Sequence, residues 1–248
     1  MKNLLKIKDL RKIYHTKESE TLAIDNFSFE LSNGEFVTII GPSGCGKSTI
    51  LSILCGLEEK SSGKINLKNN TKLGYMLQKD CLFDWLTIYE NCLLGLKIEK
   101  NETKENKKYV ERLLKTYGLY EFKNAYPSSL SGGMRQRCAL IRTLATKPDI
   151  LILDEPFSAL DYQTRLAVSD DVYKILRKER KSAIMVSHDI AESISVSDRI
   201  IVLSKRPSQI KTIFDINLTN KSNPIENRKA KEFSEYYDLI WKEIDYHV

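Results

Sequence analysis

Hydrophobic and polar positions alternate strictly in the first part of the chain. Phe27, Phe29 and Leu31 are separated by polar residues, which is typical of a half-buried strand over residues 22–31. Residues 4–8 predict a strand before it. The chain therefore begins with β-structure.

Later hydrophobic runs do not alternate, which is the pattern of strands buried on both faces of a parallel sheet. Runs of this kind occupy residues 36–40, 150–153 and 182–186. Further strands are predicted at residues 64–67, 72–77, 199–203 and 209–216, the last as an antiparallel edge. Because helical patterns separate these runs, the fold class is predicted to be α/β.

Apolar residues recur at helical spacing between the strands. Residues 86–125 are predicted to be mainly helical, further helices begin after residue 46 and at Ser131, and another covers residues 162–179. After a linker-like segment at 221–224, residues 226–245 are predicted to form an amphipathic helix. Its apolar stripe, expected to pack on the domain, comprises Phe233, Tyr237, Ile240, Trp241 and Ile244.

A glycine-rich stretch lies between the strand at 36–40 and the helix that follows it. It reads Gly41, Pro42, Ser43, Gly44, Cys45, Gly46, Lys47, Ser48, Thr49. Its glycines allow a tight turn whose N–H groups point inward, and the helix N-terminus adds a positive dipole end. Lys47 can reach the β- and γ-phosphates of a nucleotide, and the Ser48 hydroxyl can ligate Mg²⁺. The alternative is a glycine turn that merely precedes a lysine, but strand, spacing and helix together favour a nucleoside triphosphate site.

Polar side chains follow several of the predicted strands at their carboxyl ends. Asp154 and Glu155 end the strand at 150–153, His188 follows the strand at 182–186, and Gln78 follows the strand at 72–77. Ligands of open α/β sheets bind at this edge, and buried carboxylates are costly without partners. A lone histidine is more often structural, but this one occupies the same kind of position as the two carboxylates.

Two further positions could contact an anion or a base. Ser131 precedes Gly132 and Gly133 at the start of a helix, where serine is a good N-cap. The N-terminus of this helix is a second possible anion site. Tyr14 lies in a short polar segment between the early strands, where its ring could either pack or stack on a purine. Sequence spacing leaves both interpretations of Tyr14 open.

Composition describes an ordinary globular protein and narrows the choice of partner. The 248 residues are 42% hydrophobic and 29% charged, and the net charge of +6 comes from basic residues spread along the chain, so no nucleic acid is expected. Five cysteines without CxxC spacing predict reduced thiols. No apolar run approaches the roughly 18–20 residues of a spanning helix, and the N-terminus is too charged for a secretory signal. We expect a cytosolic protein whose membrane association comes through a partner.

The order of these motifs resembles the ATP-binding subunits of ABC transporters over roughly residues 4–216. The resembling segments are Walker A at 41–49, Gln78 of the Q-loop, the signature at 130–136, Walker B at 150–155, the D-loop at 158–161, the switch histidine His188 and the adenine-stacking aromatic Tyr14. Residues 78–87 and 205–208 resemble the nitrate, sulfonate and taurine importers, with Asp84 and Ser208 in place of that group's proline and glycine.

The resemblance implies a P-loop core with an N-terminal antiparallel β-subdomain, a helical subdomain at roughly 86–145, a domain over 1–225 and a C-terminal helix over 226–248. It implies ATP hydrolysis in a head-to-tail homodimer at the cytoplasmic membrane face, with two permease subunits and an extracytoplasmic binding protein. The implied roles are catalysis for Glu155, His188 and Lys47, Mg²⁺ binding for Ser48, Gln78 and Asp154, and nucleotide binding for Tyr14, residues 41–49, Ser131, Gly132, Gly133, Gln136 and Asp161.

Two questions stay open at this point. A soluble ABC-type ATPase acting on nucleic acid or ribosomes is the alternative function, although such proteins usually carry tandem cassettes or a long coiled-coil insertion. Leu82, Phe83 and Trp85 could all pack in the helical subdomain, but we favour a mixture in which some of them are exposed as a docking patch for the membrane subunit.

Overall fold

The structure, a computed structural model, describes residues 3–17, 19–158 and 160–244. Its strands are β1 (Asn3–His15), β2 (Glu20–Ser32), β3 (Phe36–Ile40), β4 (Ser62–Leu67), β5 (Leu73–Met76), β6 (Ile150–Asp154), β7 (Ser182–Val186), β8 (Arg199–Leu203) and β9 (Ile210–Asp215). The strands form two sheets. One of them carries the carboxyl-edge residues.

The larger sheet has the strand order β5-β6-β7-β3-β8-β9. Its members pair in parallel except β9, which is antiparallel to β8 at the edge, as predicted. Every residue of β3, β6 and β7 is buried, which explains their continuous apolar sequences. Because β6, β7 and β3 are neighbours, the residues after them meet at one edge of the sheet.

The smaller sheet is antiparallel, with the order β2-β1-β4, and confirms the predicted β-subdomain. Its strands are longer than predicted, because β1 continues to His15 across several register shifts. Tyr14 therefore lies inside a strand, paired with Thr21, and not in a connecting segment. The register shifts interrupt the alternation of apolar and polar residues in β1. The strand was predicted to end where that alternation stops, so its end was placed too early.

The helices are α1 (Lys47–Leu54), α2 (Ile88–Ile98), α3 (Lys104–Thr116), α4 (Gly132–Ala145), α5 (Tyr162–Lys178), α6 (Ile190–Val196), α7 (Pro224–Asn227) and α8 (Phe233–Glu243). Short 3-10 turns lie at Tyr120–Phe122 and Pro127–Ser129. Thr87 and Glu90 form a capping box that begins α2, and Thr103 caps α3 after a break in the predicted long helix. Apolar faces of α2, α3 and α4 share one core cluster with β6 and α5.

The C-terminal segment differs from the single helix predicted for 226–245. Asn223 caps a short helix, α7, and residues 228–232 are not helical before α8 begins. Lys221 is not part of a loose linker, because its Nζ donates to Ser197 O at 2.6 Å and Asp198 Oδ1 at 3.0 Å. The Asn223 side chain caps a helix that begins at Pro224, whereas the apolar spacing predicted a helix start at residue 226.

The stripe of α8 is only partly buried. Ile240 and Ile244 are buried with Ile190 and Ile194 of α6, whereas Trp241 is half exposed. Of the residues that the structure describes, no helix combines the length and apolar character needed to span a membrane.

Candidate functional site

The glycine-rich loop leaves β3 and turns into α1. Gly46 adopts φ +115°, a conformation that side-chain-bearing residues rarely adopt, immediately before the first residue of the helix. The Lys47 side chain is buried, and its Nζ donates to Gly41 O at 2.8 Å and Pro42 O at 3.0 Å. The loop thus folds around its own ammonium group. The N–H donors of Lys47 that now bind carbonyl oxygens could bind phosphate oxygens when a nucleotide is present.

The hydroxyl of Ser48 connects the loop to the end of β6. Ser48 Oγ donates to Asp154 Oδ1 at 3.2 Å, and Tyr75 OH donates to Asp154 Oδ2 at 3.3 Å. Burial raises the pKa of Asp154, and these two hydrogen bonds oppose the rise. A buried carboxylate with a hydroxyl beside it is an all-oxygen donor set of the kind that Mg²⁺ prefers.

Glu155 brings together residues from three strand ends. Its Oε2 accepts a hydrogen bond from Gln78 Nε2 at 2.9 Å and lies 3.3 Å from His188 Nδ1. The Glu155 backbone has φ +45°, and its N–H donates to Val186 O at 3.0 Å, which ties the end of β6 to β7. Such a conformation is uncommon for a residue with a side chain, and strain of this kind clusters at functional sites.

These groups share one cleft of about 550 Å³. Its lining residues are Ser43, Gly44, Gly46, Lys47, Ser48, Thr49, Glu155, His188 and Arg206. Gly41, Pro42 and Cys45, predicted with the rest of the loop, do not line it, and the Cys45 side chain is buried. The cleft therefore combines a phosphate-binding loop, a carboxylate and a histidine in one open space.

Tyr14 lies at the far end of the loop. Its hydroxyl is 3.3 Å from Thr49 Oγ1, and the ammonium of Lys12 is 4.7 Å from the centre of its ring. The ring is partly exposed beside the loop, which is compatible with stacking on a base and does not exclude a packing role.

The signature residues lie beside this cleft, because Gly132 lines a neighbouring pocket together with Glu155 and His188. Ser131 caps α4 by accepting from Met134 N at 3.3 Å, as predicted, and Ser131 and Gly132 are exposed. None of Ser131, Gly132 and Gly133 lines the cleft around Lys47 in the part of the chain that the structure describes. The exposed helix start is open to a second molecule.

Two residues predicted to bind the nucleotide make hydrogen bonds within the chain. The Gln136 side chain is buried, and its Nε2 donates to Pro156 O at 2.7 Å and Gln78 O at 3.3 Å, so it connects two loops beside the pocket that contains Glu155 and His188. Asp161 caps α5 by accepting from Thr164 N at 3.0 Å. Both side chains therefore make their hydrogen bonds inside the chain.

Two residues of this region were missed from the sequence. Tyr75 contacts Asp154 from β5, and Arg206 lines the cleft from the loop between β8 and β9. Neither has a periodicity or spacing that connects it with the glycine-rich loop, since each comes from a distant part of the chain.

The sequence matches known proteins along most of its length. The ABC transporter family profile matches residues 24–158. The uncharacterized ABC transporter ATP-binding protein YtlC of Bacillus subtilis (strain 168) is 44% identical over 239 residues, which cover 94% of this chain and 92% of YtlC.

Two similar proteins are named after imported anions. The nitrate import ATP-binding protein NrtD of Synechocystis sp. (strain ATCC 27184 / PCC 6803 / Kazusa) is 36% identical over 95% of this chain and 93% of NrtD. The aliphatic sulfonates import ATP-binding protein SsuB of Bacillus cereus is 35% identical over 94% of this chain and 93% of SsuB.

A solved structure has the same fold. The ATP-binding cassette MJ0796, in a dimeric post-hydrolysis state bound to ADP and Pi, is 30% identical with a TM-score of 0.75. The superposition covers 86% of this chain and 99% of that one.

Proposed function

The chain belongs to the ABC transporter family as an ATP-hydrolysing subunit, and we propose that it drives the uptake of a small solute through a membrane importer. The observation that carries this proposal is that Lys47, Glu155 and His188 line one cleft, with Gln78 hydrogen-bonded to Glu155. The proposed solute is nitrate, a sulfonate, taurine or a similar compound, because relatives covering nearly the whole chain are named for nitrate and sulfonate import.

We assign the chemistry to the carboxylate that the other groups surround. Glu155 accepts the proton of the attacking water, and His188, 3.3 Å from that carboxylate, holds the water and the γ-phosphate in line. The buried ammonium of Lys47 exchanges its carbonyl partners for phosphate oxygens and stabilises charge on the transferred group. Gln78 restrains Glu155 until the substrate is in place.

The donors at the end of β6 fit a magnesium ion. Ser48 and Asp154 already lie within hydrogen-bonding distance, and the Gln78 side chain adds an amide oxygen from the neighbouring strand end. When bound with ATP, Mg²⁺ would neutralise part of the charge on the phosphates. A bound cation would also lower the pKa of Asp154, which burial raises.

The proposed active unit is a head-to-tail homodimer. Ser131 and Gly132 are exposed, and among the described residues neither they nor Gly133 line the cleft around Lys47. A partner chain could therefore place the N-terminus of its α4, with Ser131, Gly132 and Gly133, on the γ-phosphate. The dimeric state of the similar cassette MJ0796 supports this arrangement.

Phe83 and Trp85 form the proposed docking patch for the membrane subunits. Their rings are in contact at 4.9 Å between centroids, and Trp85 is 72% exposed. The segment is held firmly, because Asn91 accepts from Phe83 N at 2.8 Å and donates to Phe83 O and Leu86 O. A rigid exposed aromatic pair is suited to insertion into a groove of another protein. Binding there would place the ATPase peripherally at the cytoplasmic face, with an extracytoplasmic binding protein completing the system.

The test is co-purification with tagged importer permease subunits from the same organism. We expect the parent chain to be retained by the tagged permease and Trp85→Ala to be retained at least about tenfold less, with unchanged ATP binding. Trp241→Ala, which removes the other exposed tryptophan, is the matched control and should be retained normally. Failure of the parent chain to bind, or association with ribosomes or nucleic acid in its place, would overturn the importer proposal.

A further inference from the structure

The proposed nucleotide cleft contains a second cation, which comes from the segment at 205–208 and not from the glycine-rich loop. Arg206 lies in the loop between β8 and β9, and its Nη2 donates to Gly44 O at 2.8 Å. Its side chain lines the cleft together with Lys47 and Thr49. We propose that Arg206 binds the α-phosphate of the nucleotide, a contact that rests on the proposed site at residues 41–49.

The backbone around Arg206 is fixed against the core. Ser208 N donates to Ala23 O at 2.9 Å, and Asp25 N donates to Ser208 O at 3.0 Å, so the loop continues the edge of β2. Ser208 is buried, and Ser204 Oγ accepts from Gln209 N at 3.0 Å across the loop. Arg206 is thus presented to the phosphate loop from a fixed backbone.

The position of Arg206 relative to two other groups selects the α-phosphate. Lys47 donates to carbonyls at the start of the loop, on the side assigned to the β- and γ-phosphates. Tyr14 is at the other end, beside Thr49, and the charge of Arg206 opposes the rise in the pKa of Tyr14 that burial causes. Arg206 therefore lies between the proposed base platform and the loop, where the α-phosphate connects the two parts of the nucleotide.

The guanidinium has the right chemistry for this contact. It carries five N–H donors in a planar fork, and the hydrogen bond to Gly44 O uses one of them. The fork matches two oxygens of one phosphate, which a lysine cannot reproduce because its ammonium is a point charge. Because ATP and ADP share the α-phosphate, the contact contributes equally to both.

The experiment is isothermal titration calorimetry of ATP and of ADP with the full chain. Arg206→Ala and Arg206→Gln should each weaken both nucleotides by the same factor, about tenfold or more, as expected for a charged hydrogen bond. The glutamine variant keeps a polar side chain but removes the charge and the fork of terminal donors. Arg206→Lys should recover part of the affinity. Arg112→Ala removes an exposed arginine on α3 and should bind as the parent does.

Three results would overturn the proposal. Parent-like affinity in Arg206→Ala would exclude a contact with the nucleotide. Parent-like affinity in Arg206→Gln would show that the charge of Arg206 does not contribute to binding. A loss of affinity for ATP but not for ADP would place Arg206 at the γ-phosphate. Thermal unfolding without nucleotide identifies any variant that is misfolded, and the glutamine and lysine variants then decide. Failure of the parent chain to bind ATP would instead refute the nucleotide site itself.

Discussion

Lys47 is buried, charged and hydrogen-bonded only to carbonyls of its own loop among the contacts described. A buried ammonium is costly unless a strong acceptor reaches it, so the loop gains most when a phosphate binds. This single side chain explains why strand, glycine turn and helix must occur in that order. It also makes a direct prediction about affinity.

Replacing Lys47 with alanine should weaken ATP binding by at least about tenfold, because the phosphates lose a charged hydrogen-bond donor in a partly enclosed site. Calorimetric titration with ATP measures the loss. Lys68→Ala, an exposed lysine at the end of β4, is the charge-matched control. Equal affinities for ATP in the parent and Lys47→Ala would contradict the assignment of the loop.

Glu192 is another buried ionisable residue, on α6 behind the switch histidine. Ser187 Oγ donates to its Oε2 at 2.6 Å, and burial raises the pKa of Glu192 to about 7. Between pH 4.5 and 7 the unfolded chain loses this proton while the folded chain keeps it. The folded state then binds more protons, so stability falls as the pH rises through that range.

Glu192→Gln should remove this pH dependence, since glutamine keeps the hydrogen-bond acceptor without an ionisable group. Urea unfolding at about pH 5.5 and about pH 8 should show the parent losing about 2 kcal/mol more than the variant between the two conditions. Parallel pH profiles for the two proteins would show that Glu192 does not retain its proton in the folded state.

At the scale of elements, the bounds of the buried strands in the larger sheet were predicted accurately. β7 and β8 match their predicted bounds, because buried strands are marked by continuous apolar runs with polar residues on either side. The prediction for residues 226–245 was wrong in detail, since Asn223 begins a separate short helix. Local capping can divide an amphipathic segment without changing its apolar spacing.

The site shows the same division. Lys47, Glu155, His188 and Gln78 were predictable because each follows a recognisable strand. Arg206 was not, since only the folded β8–β9 connection brings it to Gly44. For Gln136, the sequence could not indicate that the side chain would turn inward to neighbouring loops.

The apolar stripe of α8 leads to a prediction about stability. Ile240 is fully buried against the α6 cluster, so Ile240→Ala should lower the free energy of unfolding by about 2–5 kcal/mol through lost burial and a residual cavity. Denaturant unfolding measures the change. Leu239→Ala, at the adjacent exposed position, should cost much less. Equal losses would indicate that α8 does not pack as described.

At the scale of the whole molecule, the proposed dimer follows from the position of the signature residues relative to the cleft. In the part of the chain that the structure describes, Ser131, Gly132 and Gly133 do not line the cleft of Lys47 and Glu155, and Ser131 and Gly132 are exposed. In the proposed dimer, each chain would supply its signature residues to the cleft of the other. ATP would then join the subunits, and hydrolysis would release them, which is how binding could be converted into motion of a membrane partner.

The most direct test of this account is sedimentation velocity of Glu155→Gln with and without ATP and Mg²⁺. The variant should bind ATP, hydrolyse it at least about a hundredfold more slowly than the parent, and change from monomer to dimer when ATP is added. Ser131→Arg added to Glu155→Gln should block the dimer while ATP binding remains. A Glu155→Gln protein that binds ATP yet stays monomeric, or that hydrolyses it at the parent rate, would contradict the account.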